Sequence, residues 1–509
     1  MSEVVESAME AEVAEVLNRR PAVGLAVGVV CNGRLEFFSG HGVADIESNR
    51  PVTEDTVFRI ASITKTFTAI AVMQLWERGL IDLDAPANDY LRAYRLIPAK
   101  AGFRPATVRH LLTHTAGIAE VAHPWGALMP DFGESVKVGR PLPSLAEYYR
   151  GGLRLVAEPG TRFRYGNHGP ATLGQLVEDV GGEPLDHYFR EHIFEPLGMA
   201  DTDLARSGSV EARLATGYKL GASGAKAVTA REFVTAGAAS VYSTPRDMAR
   251  YAAALLGGGV NEHGSVLEPE TVATMFEPQY QPDPRIPGIG LAFFRIDLGG
   301  HPAVEHQGTM PGFDSQIFLA PDDGIGVIAF TNGAMGALMW LPAEVSGLLR
   351  HLVSAPDEAV RTDLPQHPAL WGDICGWYWL PGPLTDVRLR LMMGAGAEVF
   401  VRGGQLMLRF LSPVPELYRG FPLRPDDEDD PYVFRIHLEE FGMRVVFGQE
   451  PEGATTEVHL DLMPLTLHKQ PAIKNPRLWI TGAVAALAAG TTAIVVRRGR
   501  ATSRQHRMS

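Results

Sequence analysis

The chain has 509 residues, of which 45% are hydrophobic, and its formal net charge at pH 7 is -13. This length supports a large buried core and about two to four domains, while the acidic balance argues against nucleic-acid binding, which requires a basic face. The two cysteines, Cys31 and Cys375, lie far apart, so a disulfide framework is not expected.

The N-terminal region lacks the basic segment and the continuous apolar segment of a secretory signal. Residues 4–18 instead have the spacing of an amphipathic helix. An apolar run at residues 23–30 is followed by Asn32-Gly33 and a second apolar run. Asn-Gly between two extended runs predicts a β-hairpin.

Ser62 and Lys65 form the most informative pair in the chain. An extended segment leads into Ser62, and an apolar segment with helical spacing follows it and ends at Gly79. Positions three apart share a helix face, so Lys65 can take the proton of the Ser62 hydroxyl. A helix N-terminus also offers free N–H groups for an oxyanion. By itself, the tetrapeptide equally fits a helix-capping serine followed by a solvated lysine.

Two further polar motifs follow, Tyr165-Gly166-Asn167 and His306-Gln307-Gly308. Considered singly, each has a structural explanation. Tyr165 fits a core aromatic with a satisfied hydroxyl, Asn167 a turn residue and His306 a strand histidine. Their weight comes from their order and spacing after Ser62 and Lys65.

In this order, the three motifs resemble those of the serine β-lactamase and penicillin-binding-protein family. The branch they resemble most comprises the class C β-lactamases with related esterases and D-aminopeptidases. Residues 110–118, 194–199 and 242–249 carry the same resemblance. It covers about residues 10 to 350 and implies an α+β fold, an antiparallel sheet flanked by helices, in a domain spanning residues 1–353.

The resemblance also implies a role for each motif residue. Ser62 attacks a carbonyl carbon and forms an acyl-enzyme, Lys65 is the general base, and Tyr165 relays a proton to the leaving group. The implied substrate-binding residues are Asn167, His306, Gly308 and Thr309. The backbone N–H groups of Ser62 and Thr309 form the implied oxyanion hole.

The third motif departs from the β-lactamase pattern, which begins with lysine. An unperturbed histidine is mostly neutral at pH 7, so we expect weaker binding of a β-lactam carboxylate at His306. The predicted activity is hydrolysis of a small ester or amide, as in an esterase, a D-amino-acid amidase or peptidase, or a weak β-lactamase. No cofactor or metal is predicted. His110 and His114 have a spacing that suits zinc, but position 111 lacks the Glu of zinc proteases.

The C-terminal part of the chain has a different pattern. Residues 354–369 are polar and proline-spaced, which predicts a linker. Short alternating segments over residues 370–470 predict a small all-β domain, a barrel or a sandwich, and residues 388–391 are predicted to be one of its strands. This region resembles the lipocalin-like domains appended to some relatives.

Residues 471–509 form a tail that contains an uncharged apolar run, residues 479–496, followed by arginines. As a helix this run is about 27 Å long, which is marginal for a bilayer, and small residues four apart suit helix pairing. We predict a C-terminal membrane anchor, with a helix packed on the barrel as the alternative and a cytoplasmic protein if there is no anchor. An anchor also opens a second function class, a penicillin-binding sensor or scaffold that is acylated without turnover.

Overall fold

The structure is a computed structural model that describes residues 3–477, except for gaps at 357–360, 383–385, 387–388, 391–392, 413, 438–441 and 451–452. Its two largest sheets are both antiparallel. One is built from strands within residues 24–331 and the other from strands within residues 376–470. The predicted linker at residues 354–369 lies between them.

The strands of the first region are β1 (Gly24–Cys31), β2 (Arg34–Asp45), β3 (Arg50–Pro51), β4 (Phe58–Arg59), β5 (Leu96–Pro98), β6 (Ser135–Lys137), β7 (Leu153–Leu155), β8 (Tyr218–Gly221), β9 (Gly224–Ala227), β10 (Arg231–Phe233), β11 (Tyr242–Ser243), β12 (Phe294–Asp297), β13 (Pro302–Met310), β14 (Phe313–Ala320) and β15 (Ile325–Thr331). Its helices are α1 (Glu3–Arg19), α2 (Thr64–Glu77), α3 (Val108–Leu112), α4 (Leu145–Tyr149), α5 (His168–Gly181), α6 (Leu185–Phe189), α7 (Gly208–Arg213), α8 (Ala236–Ala239), α9 (Pro245–Leu256), α10 (Pro269–Phe276) and α11 (Ala337–Leu352). Short 3₁₀ turns at Ala61–Ile63 and Pro130–Gly133 lie close to the site described below.

The main sheet of this region has the strand order β12-β13-β14-β15-β1-β2-β3. Strand β1 lies inside it and is buried on both faces, because helices cover each side. Leu25, Val27 and Val29 pack in a cluster with residues of α1 and α11, whereas Ala26 and Val30 belong to the larger core that contains α2 and α9. This alternation is the period of two that a strand imposes.

Two local predictions near the N-terminus are confirmed. Helix α1 occupies the region predicted as helical. Strands β1 and β2 pair through Cys31 and Arg34, and the connecting Asn32 and Gly33 have φ angles of 53° and 74°. Two consecutive positive φ angles are the geometry that Asn-Gly favours in a tight hairpin.

Helix α2 is the helix predicted after Ser62, and its residues from Thr64 to Leu75 are all buried. Polar residues in its N-terminal half are satisfied by the segment around α8. The Thr64 hydroxyl accepts the N–H of Val241 at 3.1 Å, and the Thr68 hydroxyl donates to the carbonyl of Gly237 at 2.6 Å. These bonds fix the N-terminus of α2 in the centre of the domain.

The strands of the second region are β16 (Gly376–Trp379), β17 (Gly396–Arg402), β18 (Gln405–Phe410), β19 (Phe421–Pro422), β20 (Arg424–Pro425), β21 (Val433–His437), β22 (Gly442–Gln449), β23 (Thr455–Leu460) and β24 (Leu465–Gln470). Two short helices accompany them, α12 (Trp371–Ile374) and α13 (Pro415–Arg419). The sheet order is β19-β18-β17-β16-β24-β23-β22-β21-β20. Its edge strands β19 and β20 are separated in the chain by Leu423 alone, so the sheet curls into a nearly closed barrel. The predicted all-β region is confirmed.

Within the predicted strand at residues 388–391, only Leu389 and Arg390 are among the described residues, and the prediction is wrong for these two because they are helical. The alternation of arginine and leucine suited a strand, but contacts along the loop determine the conformation. The Arg390 N–H donates to the carbonyl of Asp386 at 2.9 Å, and its guanidinium donates to the carbonyls of Leu380 and Gly382 at 3.1 and 2.7 Å. These bonds connect Arg390 to Leu380, Gly382 and Asp386 in the loop between β16 and β17.

The predicted membrane anchor at residues 479–496 lies outside the described residues. Within the part of the chain that the structure describes, no helix combines the length and the apolar character required to cross a bilayer.

Candidate active site

Ser62 lies in the 3₁₀ turn Ala61–Ile63, between strand β4 and helix α2. The preceding Ala61 is buried and has a φ of 47°, a left-handed conformation that costs a non-glycine residue about 1–3 kcal/mol. The Ser315 hydroxyl holds this bend by donating to the carbonyl of Ile60 at 2.8 Å. The bend directs Ser62 toward the surface, where it remains partly exposed.

Lys65 is the immediate neighbour of the Ser62 hydroxyl. Its Nζ lies 2.8 Å from Ser62 Oγ, 3.0 Å from Asn167 Oδ1 and 3.0 Å from the carbonyl oxygen of Ala238, and the side chain is buried. Two of these three neighbours can only accept hydrogen bonds. A neutral amine has two N–H bonds and one lone pair, so Asn167 and Ala238 can take both hydrogens and leave the lone pair for the Ser62 proton.

Tyr165 and Asn167 immediately precede helix α5 and meet Lys65 from two directions. Asn167 is buried and accepts from Lys65 through its side-chain oxygen. The Tyr165 ring is partly exposed, and its centroid lies 5.1 Å from Lys65 Nζ, within range of a cation–π contact. The structure therefore brings together four of the predicted site residues, Ser62, Lys65, Tyr165 and Asn167.

His306 lies on β13 beside this group, with its ring centroid 6.4 Å from that of Tyr165. Burial, together with the nearby positive charge of Lys65, lowers the pKa of His306 to about 3. Its Nδ1 lies 2.8 Å from the carbonyl of Gln307, to which it donates in the neutral ring. His306 therefore provides no fixed positive charge at neutral pH.

Gly308 and Thr309 lie farther along β13. A Cβ at Gly308 would collide with the carbonyl of Ile60 and the hydroxyl of Ser315, so this glycine allows β13 to approach the bend that carries Ser62. Thr309 is exposed, and its hydroxyl donates to Asp314 at 2.9 Å. The pairing of β12 with β13 ends at Glu305, so residues 306–310 of β13 lie beyond the part that pairs with β12.

Two titratable residues at the site were not predicted from the sequence. His114 has a left-handed backbone with a φ of 56°, and its ring packs 4.6 Å from that of Tyr165. Burial and the Lys65 charge hold the pKa of His114 well below its usual value. Glu134 is buried, and its carboxylate accepts from the side-chain amide of Asn167 at 2.9 Å. His114 lies in the segment 110–118 that carries the family resemblance, whereas Glu134 belongs to none of the motifs identified in the sequence.

The barrel packs against the segment that carries Tyr165. Phe163 and Phe294 belong to the apolar cluster of the barrel, and Tyr165 packs against the same cluster. Next to Tyr165, the Arg164 guanidinium donates to the Asp386 carboxylate at 2.6 Å, and both side chains are buried. Asp386 lies in the loop between β16 and β17, so the second region touches the active site from one side.

A group of potential metal ligands lies elsewhere among the described residues. The ligand atoms of Glu183, Glu191 and His192 lie within 4.8 Å of one another. None of these residues belongs to the active site described above, so this group does not alter the chemistry available there.

Sequence and structure comparisons place this chain in a known family. The family model described as Beta-lactamase matches residues 5–338, which is about two thirds of the chain, and the chain belongs to this family of serine hydrolases. A β-lactamase from Yersinia enterocolitica is 25% identical over 347 residues, covering 68% of this chain and 82% of that protein. Esterase EstB from Burkholderia gladioli is 34% identical over 190 residues, covering 37% and 48%.

A solved structure extends the likeness to the barrel. The octameric penicillin-binding protein homologue from Pyrococcus abyssi aligns with a TM-score of 0.58 and 24% identity. The alignment covers 92% of this chain and all of the homologue. It therefore includes both regions and shows that they share a fold with the homologue.

Proposed function

We propose that the protein forms an acyl-enzyme on Ser62 and hydrolyses a small ester or amide that lacks a carboxylate beside the scissile bond. The observation that carries this proposal is the environment of Lys65. Two acceptor-only groups orient its amine, and the Ser62 hydroxyl occupies the remaining position at 2.8 Å. This is the arrangement that a general base needs to activate a serine nucleophile.

In acylation, the Ser62 hydroxyl gives its proton to the Lys65 amine as Oγ bonds to the substrate carbonyl carbon. The oxyanion that forms is stabilised by the N–H groups of Ser62 and Thr309, each of which contributes about 3–4 kcal/mol in such sites. The bond from carbon to the leaving group then breaks. The proton passes from Lys65 by way of Tyr165 to that group, which departs as an alcohol or an amine.

Deacylation reverses these roles with water. A water molecule attacks the acyl carbon while Tyr165 and Lys65 accept its proton, and the ester bond to Ser62 Oγ breaks. Ser62 recovers the proton and the acyl group leaves as a carboxylic acid. Each cycle consumes one water molecule and involves no change in oxidation state.

The proposed preference for uncharged substrates follows from His306. A lysine at this position would place a fixed charge beside the substrate, whereas the neutral imidazole offers only hydrogen bonding. Esterase EstB and the Yersinia enterocolitica β-lactamase are relatives of this chain, and their names span both substrate classes. We propose that this protein is nearer to the esterase in substrate preference, because His306 provides no fixed positive charge.

Covalent labelling combined with turnover tests the proposal. A fluorescent fluorophosphonate probe should label the wild type and Ser223→Ala, which changes an exposed serine, but not Ser62→Ala. The wild type should also release p-nitrophenol from p-nitrophenyl acetate over many turnovers. Equal labelling of Ser62→Ala would contradict the proposal, and labelling without turnover would indicate the sensor or scaffold.

Membrane association through residues 479–496 is a separate proposal, based on their apolar sequence. The full chain should float with phosphatidylglycerol/phosphatidylcholine vesicles in a density gradient. Placing a charge in the middle of an apolar helix costs about 2.5–3.5 kcal/mol, so Leu487→Arg should abolish flotation and Leu487→Ile should not. Flotation of Leu487→Arg at the wild-type level would contradict an anchor at this segment, in which case a cytoplasmic location is the remaining proposal.

A further inference from the structure

Glu134 is a buried carboxylate that the acylation and deacylation steps do not use. It directly follows the 3₁₀ turn Pro130–Gly133 and is 2% exposed. Its carbonyl accepts the N–H of Val234 at 2.8 Å, which ties its backbone to the segment after β10. Because a buried carboxylate is costly unless its oxygens are satisfied, its surroundings indicate what it does.

The side-chain amide of Asn167 connects Glu134 to Lys65. Asn167 Nδ2 donates to Glu134 Oε2 at 2.9 Å, while Asn167 Oδ1 accepts from Lys65 Nζ at 3.0 Å. A carboxylate only accepts hydrogen bonds, so it binds the NH₂ end of the amide and leaves the oxygen end for the lysine. Glu134 therefore determines which end of Asn167 faces the general base.

Other groups hold Glu134 in place. The Thr235 hydroxyl donates to Oε2 at 3.2 Å, and Glu134 Oε1 lies 3.8 Å from His168 Nε2. His168 Nδ1 lies 3.1 Å from the Tyr149 hydroxyl. If that hydroxyl donates to Nδ1, the imidazole carries its hydrogen on Nε2, toward the carboxylate. Asn167 and Thr235 thus hydrogen-bond the carboxylate and His168 lies beside it, and Asn167 is the contact that leads to Lys65.

We propose that Glu134 is a positioning residue at the end of a chain Ser62–Lys65–Asn167–Glu134. It orients the Asn167 amide, and its negative charge favours the ammonium that Lys65 becomes on taking the Ser62 proton. The arrangement serves a lysine base as a carboxylate serves the histidine of a catalytic triad, with an amide placed between base and acid. This inference depends on the proposed role of Lys65.

The charge of Glu134 should be visible in the pH dependence of the reaction. A negative charge near an ammonium favours its charged form, so removing that charge should lower the pKa of Lys65. Since Lys65 must be neutral to accept the proton, the acidic limb of the kcat/KM profile should then move to lower pH. A purely structural loss would lower the rate at every pH and leave the limb in place.

Other titratable groups lie near the hydrogen-bonded series Ser62–Lys65–Asn167–Glu134. Their contributions to the pH profile have to be distinguished from that of Glu134. The titratable groups that face Lys65 or Glu134 are His114, His306, Tyr165, Tyr148, Tyr149 and His168. The neighbouring Asp131 forms an ion pair with Arg231 at 3.0 Å. Burial first, with the Lys65 charge, lowers the pKa of His114 and His306, and burial raises the pKa of Tyr148 and Tyr149. His306, with a pKa of about 3, is neutral between pH 5 and 9, and the shifts at His114, Tyr148 and Tyr149 also favour their neutral forms. A His168→Gln background removes the remaining imidazole.

The experiment measures kcat/KM for p-nitrophenyl acetate from pH 5 to 9. Glu134→Gln keeps the shape and removes the charge, so we expect a loss of about tenfold to a hundredfold at the plateau and an acidic limb about one pH unit lower. Glu134→Asp keeps the charge on a shorter side chain, so it should lose rate while its limb stays at the wild-type position. Thr235→Val removes a bond to the carboxylate but no charge, and Glu277→Gln makes the same charge change on the surface. Neither control should move the limb.

Specific results would overturn the inference. One is a Glu134→Gln enzyme with wild-type rate and limb, and another is a limb that stays in place despite a lower rate. If Glu134→Gln fails to fold, Glu134→Asp still tests the inference. A shifted acidic limb or a wild-type kcat in Glu134→Asp would contradict the positioning role of Glu134. A wild type that never turns over the ester would instead refute the proposed function, so the two failures remain distinguishable.

Discussion

The two sides of Lys65 differ in chemistry and in the part of the chain that supports them. On one side, Asn167, Ala238 and Glu134 form a hydrogen-bonded network contained within the first region. On the other side lie the rings of Tyr165 and His306, backed by residues that pack against the barrel. The polar side orients the base, whereas burial on the aromatic side lowers the pKa of His114 and His306. Substitutions on the two sides should therefore have different measurable effects.

The largest effect is expected where the two sides meet. Lys65→Met retains most of the side-chain volume but removes the base, so kcat/KM for p-nitrophenyl acetate should fall by about a thousandfold or more. Lys219→Met removes an exposed lysine and should leave the rate unchanged. A loss of less than tenfold in Lys65→Met would indicate that another group takes the Ser62 proton.

On the aromatic side, the test concerns stability and the contact between the two regions. Asp386→Ala leaves the buried Arg164 guanidinium without its carboxylate, a change that typically costs about 3–5 kcal/mol. Urea unfolding should show this loss. The matched control is Glu428→Ala, which breaks the exposed Arg361–Glu428 ion pair between the linker and the barrel, and little change is expected there. Similar losses in both variants would contradict a special role for the buried pair.

The two sides also differ in how much the sequence could predict. Ser62 and Lys65 are three residues apart, so local spacing and a helical pattern were sufficient to pair them. Arg164 and Asp386 are 222 residues apart, and no local pattern connects them. Glu134 lies in an irregular loop that gives no periodic signal. Long-range packing, rather than local propensity, decides such contacts.

Two residues noted in the sequence have partners that no local pattern indicated. The resemblance implied that Gly308 binds substrate, and the structure shows that its missing side chain makes room for the chain's own Ile60 carbonyl. His114 was considered only for its spacing from His110, and the structure shows that it lies beyond the end of α3 and contacts the Tyr165 ring. In both cases the type of residue was informative, but its partner is supplied by a distant segment.

A charge at position 306 tests the basis of the proposed substrate preference. His306→Lys restores the lysine of the β-lactamase pattern, so we expect kcat/KM for benzylpenicillin, relative to that for p-nitrophenyl acetate, to rise about tenfold, the equivalent of about 1.4 kcal/mol. His306→Gln remains neutral and should not raise this ratio. An equal rise in both variants would show that removal of the imidazole, and not the added charge, controls the preference.

A further effect concerns stability toward acid and arises on the aromatic side alone. The pKa of His306 is about 3 in the folded protein and near 6.5 in the unfolded chain, so between these values only the unfolded state binds the proton. Folding free energy is then lost as the pH falls below 6.5, by about 1.4 kcal/mol per pH unit for this one group. His306→Gln should flatten the dependence of the urea midpoint between pH 6.5 and 5. His41→Gln changes a partly exposed histidine and should leave the pH dependence of the urea midpoint as in the wild type. If this pH dependence were also unchanged in His306→Gln, His114 and other buried groups would account for the acid sensitivity.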